Sequence, residues 1–519
     1  MSRTAAGGLL VLLLVLVFAG ALVFRVSGLD LRPMHHDEAN QALKLGLLLE
    51  RGEYRYDPAD HHGPTLYYLS LPVVRLLGRH SLAELDEASL RLVPALFGAG
   101  LVLLLALFLA ELGSGAVLAA SILAAVSPAF VYYSRFYIQE TILVFFSAVF
   151  LGALWKFRKK WSIGWAVATG TAAGLMFATK ETSLILFASA GAAFALAGRA
   201  EKAAADQAGR EDRPMAPRPV FGPAAAGLAS AVLTAALFYS SFLSHPRGVL
   251  DSILALGDYV TKSGSPGFHG HAAGYYLGIL ADSSSGGLIW SESLILALAF
   301  LGIIGIIRTR NAFGLYLGVY SVLTAVIFSA IRYKTPWNLL PFHFGFVVLA
   351  GFGTAWLWRS IRRTPWKIAA AVLLLGGTIH LGAQSWAASF RYPADPRNPY
   401  AYAQTGTDYP RLVRRIEDLA RIAPEGRRLL IKVVCDPYEM WPLPWSLRRF
   451  DHVGYWTDTD RSGGADGAAV LIASGDQASR LEPLLKEGYF SEYYGLRPDV
   501  LLTAFIRRDL WDRFVESKK

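Results

Sequence analysis

The sequence predicts a multi-span α-helical membrane protein with a water-soluble α/β domain at its C-terminal end. Of the 519 residues, 54% are apolar and 17% charged, a balance that an ordinary soluble globule does not have. The mean hydropathy is +0.37, and the apolar residues fall in long runs that stop after Phe390. Aromatic residues make up 13% of the chain, which excludes a disordered polymer, and Cys435 is the sole cysteine, which excludes a disulfide scaffold. The formal charge of +10 could suggest nucleic acid. The basic residues, however, sit in short runs between apolar stretches, where they set membrane topology, so nucleic acid is set aside as a partner.

A hydrocarbon core about 30 Å thick requires about 20 mostly apolar residues per helix, and on that measure the chain has about eleven spans. They are expected near residues 8–24, 92–110, 116–133, 138–155, 163–179, 183–196, 221–242, 288–307, 312–331, 339–358 and 368–384. The first, with Arg3 ahead of it and small residues near Ala19 to Ala21, also fits a cleavable signal peptide. A retained anchor is favoured, because the apolar stretch is long for a signal and further spans follow. Lys156, Arg158, Lys159 and Lys160 form one basic run, Arg308 and Arg310 a second, Arg359 to Lys367 a third, and the polar stretch 199–218 a fourth. All fall on one face if the N-terminus is cytoplasmic. That orientation puts the loops 25–91 and 245–287, the junction 134–140 and the tail outside. The expected division is a membrane domain over 1–390 and an exterior domain over 391–519, in the cytoplasmic (inner) membrane with the tail exterior or periplasmic.

In the tail, Leu412, Ile416 and Leu419 have helical spacing within 409–422, while 429–434 and 469–473 are short β-branched runs typical of buried strands. A helix over 478–486, a strand over 500–506 and a last helix over 510–515 complete an alternation that predicts a small α/β layer.

The densest polar cluster follows the first span: His35, His36, Asp37, Glu38, Ala39, Asn40 and Gln41. Asp37 suits a helix N-cap and Glu38 the positive first turn. Alternatively, an acid desolvated at the outer rim can act as general base toward a hydroxyl. Next come Asp57, Pro58, His61, His62, Gly63, Pro64 and Thr65, a turn punctuated by Pro and Gly, with His61 and His62 as candidate substrate contacts. These histidines and carboxylates could bind a divalent metal, although their spacing matches no specific ligand pattern. Arg135 and Glu140 flank the start of the fourth span. They pair with each other, or Glu140 joins the first-loop acids. Lys180, Arg332, Tyr333 and Lys334 lie at the outer interface as ordinary anchors or as ligands to a lipid phosphate. The tail segment Trp441-Pro442-Leu443-Pro444-Trp445 could offer an aromatic sugar platform or pack against the membrane domain.

Taken together, the Asp-Glu pair in the first exterior loop, the Gly-Pro turn, the acid near the fourth span and the late Lys-Pro-Trp turn resemble the GT-C superfamily. Its members are integral-membrane glycosyltransferases that use polyprenyl-phosphate-linked sugars, among them the protein O-mannosyltransferases and the lipid A aminoarabinose transferases. More closely, His36-Asp37-Glu38-Ala39, His62-Gly63-Pro64, Lys334-Thr335-Pro336-Trp337 and the Trp441 to Trp445 segment resemble a prokaryotic family of flippase activity-associated proteins.

The resemblance implies sugar transfer from a polyprenyl phosphate to a glycan, lipid or protein acceptor on the outer face. Asp37 matches the essential first-loop acid, Glu38 is its neighbour, and Glu140 stands at the second acidic position. Lys180, Arg332 and Lys334 are then expected to meet the carrier phosphate, and His36, His61, His62, Arg135 and Tyr333 complete the candidate substrate-binding set. The chemistry needs no nucleotide loop; the lipid-linked sugar is a donor substrate, and a divalent metal is the one cofactor left open. A non-catalytic partner that helps move or present a lipid-linked saccharide is the alternative. A secondary transporter fits the span count alone, since these ionisable residues map to the exterior rim rather than to mid-membrane.

Overall fold

The computed structural model describes residues 3–60, 62–207, 221–264, 267–464, 466–485 and 488–519. They form two compact units. One comprises residues 1–29, 53–73 and 91–391, and the other residues 30–52, 74–90 and 392–519.

Within the first unit, the apolar runs become helices because a lipid-facing backbone must satisfy its own polar groups. Among the described residues, eight helices are long and apolar enough to cross a membrane: Gly7–Val26, Glu87–Leu112, Glu140–Lys160, Ser183–Gln207, Phe221–Tyr239, Ala312–Ala330, Pro336–Ser360 and Thr364–Arg391. The other three expected spans depart from the simple ruler. Residues 116–133 are a pair, Ser114–Val126 and Pro128–Ser134, bent by 58°, and Ile163–Phe177 and Ser293–Thr309 are shorter apolar helices. The bend has a local cause. Pro128 brings no N–H to the first helix, and the Ser127 hydroxyl accepts from the Phe130 amide to start the second.

Small residues let backbones approach. A Cβ on Gly302 would stand 2.2 Å from the Leu349 carbonyl oxygen, and one on Gly353 would stand 2.0 Å from that of Leu298. The helices Ser293–Thr309 and Leu340–Ser360 are thereby in main-chain contact, as small-residue interfaces allow. The loop 245–287 is more regular than its glycines suggest: it carries the helices Arg247–Gly264 and Tyr275–Ala281 and the first strand of a short hairpin, β1 (Ser283–Ser285) with β2 (Leu288–Trp290).

The second unit is built on a five-stranded mixed sheet of β3 (Ile431–Val434), β4 (Val453–Trp456), β5 (Val470–Ser474), β6 (Tyr489–Arg497) and β7 (Val500–Arg507), in the order β4-β3-β5-β7-β6. β3 runs parallel to both β4 and β5, and β7 is antiparallel to β5 and β6. The central strands β3 and β5 are buried throughout, which is why they read as continuous apolar runs. Ile431, Val433, Val470 and Ile472 pack with Leu412, Ile416 and Leu419 of Tyr409–Ile422 and with Leu510 and Phe514 of Arg508–Glu516. Val434, Leu471 and Phe505 instead pack with Leu481 and Leu485 of Gly475–Leu485.

The stretch 25–91 does not stay with the membrane helices as a whole. Residues 30–52 and 74–90 belong to the unit of the tail. The Gln404 amide nitrogen donates to the Pro33 carbonyl (2.9 Å) and the Thr405 hydroxyl to that of Met34 (2.7 Å). Arg448 donates to the Leu85 carbonyl (2.6 Å), and the Trp445 indole donates to Glu87 (2.8 Å).

Candidate functional site

In the second unit, the helix His36–Arg51 begins at a reciprocal cap. His35, not Asp37, is the N-cap: its Nδ1 accepts from the Asp37 amide at 3.0 Å, and its own amide donates to Glu38 Oε2 at 3.1 Å. Burial pushes the His35 imidazole below its ordinary pKa, against the pull of Asp37 and Glu38, so the neutral ring that the cap requires is the favoured form. Arg32 Nη2 reaches Glu38 Oε1 at 3.4 Å, and the Glu38 side chain is fully buried. The two neighbouring acids therefore differ. Glu38 is held by a cap and a guanidinium, while the Asp37 side chain remains 30% exposed. His36, beside it, stacks on Trp441 with ring centroids 5.5 Å apart and planes 19° from parallel. Trp445, at the far end of the same tail segment, is buried.

In the first unit, Glu140 is the first residue of its helix, as expected, but its partner is Lys180 rather than Arg135. Lys180 Nζ donates to Glu140 Oε1 and, at 3.2 Å, to Asn338 Oδ1. Both charged side chains are at most 4% exposed. Nearby in sequence, Glu181 Oε2 lies 2.8 Å from His62 Nδ1. Thr65 ties the same turn down through its amide to the Ala178 carbonyl (3.2 Å) and its hydroxyl to Thr179 (2.8 Å). Gly63 is required there, since a Cβ would stand 2.1 Å from the Ala178 oxygen. His61 lies outside the described residues.

Burial alone would raise the Glu181 carboxyl. His62, through charge and hydrogen bond, more than offsets this and leaves it below the usual glutamate range. A carboxylate depressed in the folded state contributes stability above its unfolded value and loses it as pH falls through the folded value. The gap in thermal stability between the wild type and His62→Ala is therefore expected to be widest near neutral pH. Melting curves recorded down to about pH 4 should show it shrinking.

The Arg135 guanidinium donates to the carbonyls of Phe24 (3.3 Å), Arg25 (3.1 Å), Ser27 and Gly28 (2.7 Å) and lies 4.4 Å from the centre of the Phe390 ring. This satisfies the carbonyls at the C-terminal end of the first span. Arg135→Lys retains charge but loses the fork. It is expected to lower stability by about 2–3 kcal/mol in a thermal unfolding assay.

Lys334 Nζ donates to the carbonyls of His271 (3.1 Å) and Ile331. Its main chain pairs with the 269–271 segment: the Lys334 amide donates to the His269 carbonyl (2.9 Å) and the His271 amide to that of Arg332 (3.1 Å). Tyr333 sits against the His269 ring at 4.6 Å, and Arg332 is exposed.

A buried node in this unit has no signature in the sequence: Ser127 Oγ donates to Glu292 Oε2 (2.6 Å), His343 Nε2 lies 2.9 Å from the same oxygen and the Ala129 amide donates to Oε1 (2.9 Å). It fastens the bend after Val126 to two further helices. Its members are scattered, and an acid or histidine at the edge of an apolar run is ordinary in sequence. Among the described residues, no three His, Cys, Asp or Glu side chains gather closely enough to hold a metal ion.

Residues 68–206 match the family model of dolichyl-phosphate-mannose-protein mannosyltransferase. No curated protein matches the chain. Among solved structures, the chain is similar to ArnT from Cupriavidus metallidurans bound to undecaprenyl phosphate, with a TM-score of 0.59 and 17% identity over 94% of this chain and 97% of that one. It is also similar to the oligosaccharyltransferase of Archaeoglobus fulgidus in its apo form, with a TM-score of 0.54 and 13% identity over 98% of this chain and 77% of that one. The archaeal oligosaccharyltransferase AglB from Archaeoglobus fulgidus, in complex with an inhibitory peptide and a dolichol-phosphate, gives a TM-score of 0.51 at 14% identity over 97% of this chain and 77% of that one. The chain is an integral multi-pass membrane protein with the fold of the GT-C membrane glycosyltransferases.

Proposed function

We propose that the chain transfers a sugar from a polyprenyl-phosphate-linked donor to an acceptor at the outer face of the cytoplasmic membrane, with Asp37 as the general base. The observation that carries this reading is the contrast within one helical turn: Glu38 is fully buried in a cap and an ion pair, while the Asp37 carboxylate is partly open to solvent. ArnT and AglB, which share the fold, were solved with undecaprenyl phosphate and dolichol-phosphate respectively, and a lipid phosphate is the carrier proposed here.

The acceptor hydroxyl gives its proton to Asp37 as its oxygen bonds to the anomeric carbon. The bond from that carbon to the phosphate oxygen breaks, and the polyprenyl phosphate leaves with the electron pair. Its charge is a task for cations. Arg332 is exposed, and Lys180 and Lys334 are buried and already hydrogen-bonded, so Arg332 is the one proposed to meet phosphate first. Glu140 holds Lys180, Glu38 fixes the turn that carries Asp37, and His36, His62 and Tyr333 are proposed on the substrate side. Eleven crossings with a cytoplasmic N-terminus, counting the bent pair and the two shorter helices, give the exterior tail that this reading requires.

The alternative is a membrane partner in the manner of the flippase-associated proteins, which binds a lipid-linked saccharide without turning it over. One observation favours it: two of the three candidate phosphate ligands already have protein partners. Purified protein in liposomes with radiolabelled polyprenyl-phosphate mannose or glucose separates the two. Release of free polyprenyl phosphate with label in an acceptor supports transfer. Saturable carrier binding with no release supports the alternative.

A further inference from the structure

In the second unit, the tail brings more to Asp37 than a scaffold. Residues Asp436 to Met440 form a turn, closed by the amides of Glu439 and Met440 donating to the Asp436 carbonyl at 2.9 and 3.0 Å. This turn leads directly into Trp441, whose ring lies on that of His36. Tyr438, at the tip of the turn, is 78% exposed. Arg497, at the end of β6, donates to the Tyr438 carbonyl. Burial weakens the hold of the Arg497 guanidinium on its proton, while the charges of Glu439 and Asp37 act to strengthen it, which puts this cation in the electrostatic surroundings of the proposed base.

An aromatic ring at the tip of a turn, a second ring against the residue that precedes the base and a guanidinium bonded to the same turn form a set suited to a particular ligand. Aromatic faces take the C–H face of a sugar ring, and a guanidinium donates to hydroxyls. An extended peptide is instead captured through free main-chain groups of a strand edge, and here the Tyr438 carbonyl is already occupied by Arg497. We infer that Tyr438, Trp441 and Arg497 form an acceptor subsite beside Asp37, and that it takes a carbohydrate ring. The inference rests on the glycosyltransferase reading and names its acceptor class.

The test uses the full chain in lipid nanodiscs. Chitotetraose, maltotetraose and mannotetraose are the probes, a serine- and threonine-containing decapeptide is the counter-probe, and binding is read by saturation-transfer NMR. At least one oligosaccharide is expected to bind. Tyr438→Ala and Trp441→Ala should each weaken it about threefold to tenfold, the range for loss of one aromatic contact, while Tyr438→Phe and Trp441→Phe keep most of it. Because Tyr438 is exposed, its alanine variant tests the inference even where Trp441→Ala does not fold. Binding to the peptide and to none of the sugars overturns the inference, as does sugar binding that both alanine variants leave intact. Release of polyprenyl phosphate to water, measured in parallel, keeps the two ideas separate. If release is indifferent to Asp37→Asn while sugar binding still depends on Tyr438, the general-base reading fails and the subsite stands. If release depends on Asp37 and no oligosaccharide binds, the subsite fails alone.

Discussion

Asp37→Asn is expected to lower kcat for sugar transfer by roughly 10²–10⁴-fold, the range for loss of a positioned general base. The amide is nearly isosteric, so it preserves the shape of the helix start while removing the group that accepts the proton. Asp37 also donates its main-chain amide to His35, a bond that the substitution leaves in place. Membrane insertion and melting temperature are therefore expected to change little, and KM for the donor to stay within a few-fold. Glu38→Gln is the contrasting control. Its carboxylate holds both the cap and Arg32, so the loss is expected first in thermal stability, by about 1–2 kcal/mol, and only through that in activity. An Asp37→Asn enzyme with unchanged turnover would remove the proposed base. A Glu38→Gln enzyme that is fully stable yet inactive would exchange the roles of the two acids.

Removing one member of the Glu140–Lys180 pair is expected to have the largest effect on stability. Both side chains are almost wholly buried, and Glu140 Oε1 accepts from Lys180, which also donates to Asn338. Lys180→Met leaves an uncompensated carboxylate in a low-dielectric setting, a change that typically costs about 3–5 kcal/mol. The double variant Glu140→Gln/Lys180→Met removes both charges and is expected to recover most of that loss, because the desolvation cost of the ions disappears with their attraction. Detergent-solubilised melting curves of the two single variants and the double give the coupling directly. Additive losses would mean that the pair is not the unit its geometry suggests.

What could be read from the sequence was set by how local each signal is. Hydropathy and charge runs act over about 20 residues, so every expected span has a helix, even where 116–133 bends and where 163–179 and 288–307 shorten. The buried strands β3 and β5 appear as apolar runs for the same reason. β4 and β6 went unread because they are the sheet's edges: their partly exposed faces carry Gly454, Glu492 and Arg497 among the aromatics and break the pattern. Asp37 stood out by residue type. That His35 caps the helix was hidden, because histidine is not a preferred cap. The role of Arg135 could not be read at all. A cation at the outer rim looks the same in sequence whether it meets a phosphate or four carbonyls, and main-chain carbonyls carry no letter. For Glu140 a pair with Arg135 is one of the alternatives the sequence leaves open, and Lys180 is not among them, since sequence separation is the only distance a sequence contains.

The grouping of residues 30–52 and 74–90 with 392–519 bears on how the protein is made. The helix that bears Asp37 is made early, whereas Gln404, Thr405, Arg448 and Trp445, to which Pro33, Met34, Leu85 and Glu87 bond, are translated long after it. Until residues 392–519 have been made, the early segment has no completed surface to settle on. Nascent chains arrested before the tail should thus show the 30–52 segment open to protease, and chains released in full should show it protected.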